Sequence, residues 1–193
     1  MAITSKIMNV GIVPQDYSVY IPAVAKGFAS VTSAVSLNGT TYGTGVTLNT
    51  QDNNRYLFLG HPDASDSFAI IPYALPNNYA NGTSLSLTIV WTAAVTTGNV
   101  RYNIGVSKKS STGTYTNVDA NAANYAGIAS YSAPTAITQI KKETVTIPGT
   151  GLVAGGVVQI LSIRKGIDAL DTMTGIMFIH GFKLKYKVNL YGG

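Results

Sequence analysis

Leu85-Ser86-Leu87-Thr88-Ile89-Val90-Trp91 and, a little further on, Val100-Arg101-Tyr102-Asn103-Ile104-Gly105-Val106 are the stretches whose reading decides the fold. In the first, Leu85, Leu87, Ile89 and Trp91 share one phase against Ser86 and Thr88. In the second, Val100, Tyr102, Ile104 and Val106 alternate with Arg101, Asn103 and Gly105. A period of two over such lengths predicts strands with one buried face. The eight residues between them include a Gly98-Asn99 breaker, so the pair reads as two antiparallel strands joined by a polar loop. Trp91, the only tryptophan, closes the first strand and is the expected core anchor between two packed sheets.

Outward from this centre, Arg55 to Leu59 and Ser67 to Ile71 read as strands, and Glu143 to Pro148 as a short one. Val157 to Arg164 is apolar in both phases, as a central strand would be. The longest strand runs from Ile176 to Val188, with Phe182, Leu184, Tyr186 and Val188 on one side and Lys183, Lys185 and Lys187 on the other. Gly181 is a candidate bulge there. Asn38-Gly39 is a type I′ turn signal. With about eight to ten strands and no reliable helix, the expected fold is all-β, an antiparallel β-sandwich of jelly-roll type. Residues 1–36, poorly periodic and carrying Pro14 and Pro22, read as an extended N-terminal arm, an attachment segment ahead of a sandwich over 37–193.

Composition narrows the function. Charged residues are 11% of the 193, against about 25% in an average domain, while hydrophobic residues are 46%. So few charges suit a surface covered by partners, which predicts a homo-oligomer or docking on a larger assembly. Through residue 100 three cations face four anions, a net −1; beyond it ten cations face four anions, a net +6. The lysines come in pairs or alternate along a strand rather than in runs interleaved with aromatics, so nucleic acid is not expected as a partner. There is no cysteine, no signal-like start and no run long enough for a membrane helix, so the expected product is soluble and made in the cytoplasm.

Chemistry is sparse. Only eight acids are present, none placed mid-strand beside apolar neighbours as a hydrolytic pair would be. His61-x-Asp63-x-x-Asp66 has metal-ligand residue types, but Pro62 favours a plain polar loop, and His180 reads as a core or interface histidine. Neither a G-x-S-x-G elbow nor a phosphate-binding loop occurs. No catalytic residue, metal site or cofactor is expected. From Ser107 to Thr138 a nearly uncharged stretch reads as a long loop. Its Tyr115, Asn117, Asn124, Tyr125 and Tyr131 form a candidate contact surface for a glycan or for a neighbouring subunit. Lys183, Lys185 and Lys187 form a candidate basic interface.

Two sets of residues resemble a recurrent domain of tailed-bacteriophage virion proteins. One is Trp91-Thr92-Ala93-Ala94 with Thr97-Gly98-Asn99-Val100-Arg101-Tyr102. The other is Leu161-Ser162-Ile163-Arg164, then Asp171-Thr172-Met173-Thr174-Gly175 and a closing strand ending Gly181-Phe182-Lys183-Leu184-Lys185-Tyr186. The resemblance covers about residues 68 to 188, in pieces, and departs over Ser107 to Thr138 and in the basic charge. It implies a non-enzymatic virion structural protein, a capsid decoration (cement) or fibre component. Such a protein would be a homotrimer bound to other virion proteins such as the major capsid protein or a tail component. The alternative is a receptor- or glycan-binding module of a tail fibre or tail tip.

Overall fold

The computed structural model describes residues 14–22, 35–37, 40–42, 47–51, 56–108 and 124–190. They form β1 (Gln15–Pro22), β2 (Val35–Leu37), β3 (Thr40–Tyr42), β4 (Thr47–Gln51), β5 (Tyr56–His61), β6 (Asp66–Ala74), β7 (Leu85–Ala93), β8 (Asn99–Lys108), β9 (Asn124–Ser132), β10 (Lys141–Ile147), β11 (Val157–Lys165) and β12 (Met177–Val188). A first sheet runs β10-β7-β12-β5-β4, with β1 also paired to β12; a second runs β6-β11-β8-β9, and β2 pairs with β3. From β5 onward the eight strands split into β5-β12-β7-β10 and β6-β11-β8-β9. That is the double Greek key of a jelly roll. No helix occurs among the described residues, and the expected sandwich is what the chain builds.

The alternation in the central stretch is realised, but its joining is not. Leu85, Leu87, Ile89 and Trp91 are fully buried on the inner side of the first sheet, and Val100, Tyr102, Ile104 and Val106 face them from the second. Each aliphatic buried this way contributes about 1.5–3 kcal/mol. The two strands are not a hairpin: β7 pairs with β10 and β12, while β8 pairs with β9 and β11. The connection is a corner between sheets. At its apex Gly98 has φ +90°, and a Cβ there would lie 2.3 Å from the Thr172 carbonyl oxygen. Close contact with a distant loop, rather than strand-to-strand pairing, therefore sets the turn.

Two further departures, at β9 and at His180, have physical reasons, and β1 adds to the first sheet. The stretch read as a loop over Ser107 to Thr138 contains β9, held to β8 by main-chain pairing. Its Ala, Gly and Ser carry little β preference, so pairing rather than propensity makes the strand. Within the N-terminal segment, β1 lies antiparallel along β12 from Gln15↔Val188 to Pro22↔Gly181, with Ile21 in the core. On β12 the register to β7 shifts between Ile179 and Gly181. This bulge turns His180 to the outer side, beside Phe58 (ring centroids 4.3 Å apart) and bonded to the Thr92 hydroxyl at 3.1 Å, instead of into the apolar phase expected of it. Leu37↔Thr40 is the tight pairing expected around Asn38-Gly39; those two residues lie outside the described ones.

Candidate functional site

Two polar regions stand out, one sealed and one open. The sealed one lies between the sheets where β5 and β11 end. His61, fully buried, bonds through Nδ1 to the Ser67 hydroxyl (2.8 Å) and through Nε2 to the Ser162 hydroxyl (2.9 Å), and the Tyr102 hydroxyl also bonds Ser162. Beside it Arg164 uses all five of its N–H groups. Nε and Nη2 donate to Asp171 at 3.0 and 2.8 Å, Nη1 to the carbonyls of His61 (3.0 Å) and Gly175 (2.5 Å), and Nη2 also to that of Met173 (2.5 Å). Burial first, then the Arg164 cation, push the His61 pKa down to about 3, so the imidazole is neutral. Serine beside histidine is a nucleophile's residue set, but both imidazole nitrogens already hold hydroxyls and no carboxylate orients the ring. The network is architecture. Asp66 pairs with Lys165, and no metal-binding group of acids and histidines forms among the described residues.

The same network ties together the two sequence motifs. Asp171 accepts the Arg101 main-chain N–H at 3.0 Å, the Thr172 hydroxyl accepts that of Asn99 at 2.9 Å, and the N–H groups of Thr172 and Met173 donate to the Asn99 carbonyl. Asp171-Thr172 and Gly98-Asn99-Val100-Arg101 are therefore two halves of one clasp.

The open region is the outer face of the first sheet. Register places its side chains in rows across four strands. Thr144, Thr88, Lys183 and Tyr20 make one row, and Thr146, Ser86, Lys185 and Ser18 the next, with Lys187 opposite Asp16 beyond. Neighbouring strands are about 4.8 Å apart. The hydroxyls of Thr88 and Thr144 bond each other at 2.8 Å. Asp16 bonds Lys185 at 2.8 Å, both side chains about half exposed, and Lys142 extends the basic side on β10. Tyr20 lies across Gly181, whose Cβ would meet its hydroxyl at 2.5 Å; a side chain there would displace the ring. The arrangement offers ammonium donors, hydroxyls that both donate and accept, and the Tyr20 ring, with His180 and Phe58 further along the same side of the sheet.

Lys183, Lys185 and Lys187 are exposed on this face. Trp91 is fully buried in the core, with the Lys141 ammonium 5.9 Å from its ring centroid. Tyr131 turns inward, half-buried against the core, where burial and then Glu143 raise its pKa. Asn124 and Tyr125 lie on β9 opposite Val106 and Gly105. Tyr115 and Asn117 fall outside the described residues. Reading the sequence misses Asp16, Tyr20, Ser86, Thr88, Thr144 and Thr146 as parts of one surface. The available signal was the alternation of Asp16, Ser18 and Tyr20, two residues apart like the lysines they come to lie beside.

No family model matches the chain, and no curated protein matches it. Among solved structures it is similar to the Arthrobacter globiformis T6 isomalto-dextranase complexed with panose, at 13% identity and a TM-score of 0.48 over 86% of this chain and 23% of that one. It is similar to a family 35 carbohydrate-binding module from Clostridium thermocellum, at 13% identity and 0.48 over 87% and 97%. A family 6 carbohydrate-binding module from Clostridium cellulolyticum in complex with xylose gives 13% identity and 0.43 over 85% and 94%. The chain thus spans about a quarter of the dextranase's length, and its jelly roll rests on its own strand pairing.

Proposed function

We propose that the protein is a non-enzymatic binding module that holds a glycan on the outer face of its first sheet. One observation carries this reading: the rows Thr144-Thr88-Lys183-Tyr20 and Thr146-Ser86-Lys185-Ser18. A polyhydroxylated ligand needs many donors and acceptors at close spacing, and this face supplies them as rows of hydroxyls beside ammonium groups. Calorimetry against a panel of soluble polysaccharides tests it. Binding that disappears in Thr88→Val/Thr144→Val, with the melting temperature kept, is the expected result; a panel in which nothing binds overturns it.

A second reading, the virion structural protein, draws on a different observation. Ile137 and Ile140 on the β9–β10 connection and Ile167 and Leu170 on the β11–β12 connection are all more than half exposed. Both connections belong to one end of the sandwich, where Ala133 and Thr172 each bond the Gly98-Asn99 turn. Apolar tips gathered at one end suit a homotrimer on a particle, with the virion as its address. Light scattering at micromolar concentration is then expected to give about three times the 20.2 kDa chain mass. A monomer at every concentration removes this reading and leaves the first intact.

A further inference from the structure

We propose that the occupant of the outer face is a linear carboxylated polysaccharide lying along β12, and that Asp16 is a built-in competitor holding the middle of its site. The inference rests on the glycan reading and adds the ligand's charge, its direction and a residue that opposes it.

The direction comes from spacing. Lys183, Lys185 and Lys187 alternate on one strand, so their Cα atoms lie about 6.6–6.8 Å apart and the line of ammonium groups is about 13 Å long. Among the described residues Lys183, Lys187 and Lys142 make no ion pair. Cations on one face with no described acid bonded to them call for an anion from outside. The Lys183-Lys185-Lys187 line, with Lys142 two strands away on β10, calls for anions repeated along a chain.

The kind of anion comes from Asp16. Its cross-strand neighbour is Lys187, yet its carboxylate reaches diagonally to Lys185 at 2.8 Å. There it stands at the middle ammonium of the line, where a ligand carboxylate would sit, with Lys187 beside it. The face stabilises that group as an anion: hydrogen bonding and charge from Lys185, with a smaller share from Lys187, hold the Asp16 pKa below its usual value against a small opposing effect of burial. The side chain therefore shows what this surface accepts, and the half exposure of both partners leaves the bond exchangeable with a competitor from solvent. The flanking Thr88 and Thr144, already bonded to each other, and Ser86 and Thr146 suit sugar hydroxyls beside the charged line. A nucleic acid, whose single strands bind on rows of stacking rings, meets only Tyr20 beside the lysine line: the Tyr17 ring packs toward Tyr186 (5.4 Å) on the inner side, and Phe58, the ring beside His180, is buried.

Polygalacturonate and the same polymer fully methyl-esterified make a matched pair of probes, since esterification removes the charge and keeps the backbone. The full chain is expected to bind the acid form, with affinity falling as salt rises, and the ester at least about tenfold more weakly. Asp16→Asn is expected to tighten binding about two- to fivefold, the range an exposed ion pair spans. Lys185→Gln, losing a cation already engaged, is expected to cost less than Lys183→Gln or Lys187→Gln, which gives the same test without altering Asp16. Equal binding of acid and ester overturns the inference and leaves the glycan reading standing; binding of neither overturns both. Weaker binding by Asp16→Asn, with its melting temperature kept, overturns the competitor role. Tighter binding of dextran sulfate than of polygalacturonate overturns the choice of carboxylate, and tighter binding of single-stranded DNA overturns the glycan itself.

Discussion

Two carboxylate–cation pairs in this protein have the same chemistry and opposite roles. Asp171 and Arg164 are essentially buried, at 1% and 0% side-chain exposure, whereas Asp16 and Lys185 stand at 55% and 51%. In the first pair every guanidinium N–H has a partner and Asp171 also receives a main-chain N–H. Taking two charges out of water is costly, and such satisfaction is what offsets the cost. In the second pair water competes for both groups, so the bond holds neither residue in place. Depth, not residue type, decides whether an ion pair builds the fold or waits on its surface.

Removing one charge from each pair separates them most sharply. Asp171→Ala leaves Arg164 buried and unmatched, and is expected to cost about 3–5 kcal/mol in urea unfolding. A loss below about 1 kcal/mol would mean that water replaces the carboxylate and that the end of the sandwich is not sealed. Gly98→Ala attacks the same clasp from the other side, with a positive φ and the Thr172 carbonyl 2.3 Å from the new Cβ. The backbone conformation alone is expected to cost about 1–3 kcal/mol.

Acid probes the buried region through His61. Its folded pKa, about 3, lies below its unfolded value of 6.5, so the unfolded chain takes up a proton that the folded one refuses. This contribution is complete above pH 6.5 and falls by about 1.4 kcal/mol per pH unit toward pH 3. His61→Gln is expected to flatten that slope; an unchanged slope would assign acid sensitivity to other groups. The smallest effect belongs to the open pair. Asp16→Asn is expected to leave the melting temperature unchanged at low and at high salt, and a clear drop would make Asp16 part of the architecture.

What the sequence discloses and what it withholds divide along the same line of local against distant contacts. The stripes Leu85 to Trp91 and Val100 to Val106 are legible because large apolar residues at period two have one physical reading. That they belong to different sheets is not legible, because Gly98 is shaped by Thr172, 74 residues further on. The two motifs meeting there look weak separately for the same reason. β9 is hidden because its small residues carry no apolar stripe, and main-chain pairing with β8 makes it a strand. The lysine line of β12 is visible, since alternation is local. Its partner Asp16 is not, because the alternation of Asp16, Ser18 and Tyr20 marks a strand without naming the distant strand it pairs with.

That pairing of β1 with β12 bears on how the chain reaches its structure in time. β12 is the shared neighbour of β1, β5 and β7, so the first sheet has a gap at its centre until residues near 180 have been synthesised. At a synthesis rate of about 5–20 residues per second, that is a wait of several seconds or more after β5 appears. During it, the apolar stripe of β7 has only β10 beside it. Contacts spanning nearly the whole chain also place refolding in the slow class, milliseconds to seconds. The low charge that suits the finished surface gives the half-made chain little repulsion to keep it from its neighbours. The vulnerable moment for this protein comes before it is complete, and its yield on expression is expected to fall with concentration and temperature more steeply than its folded stability would suggest.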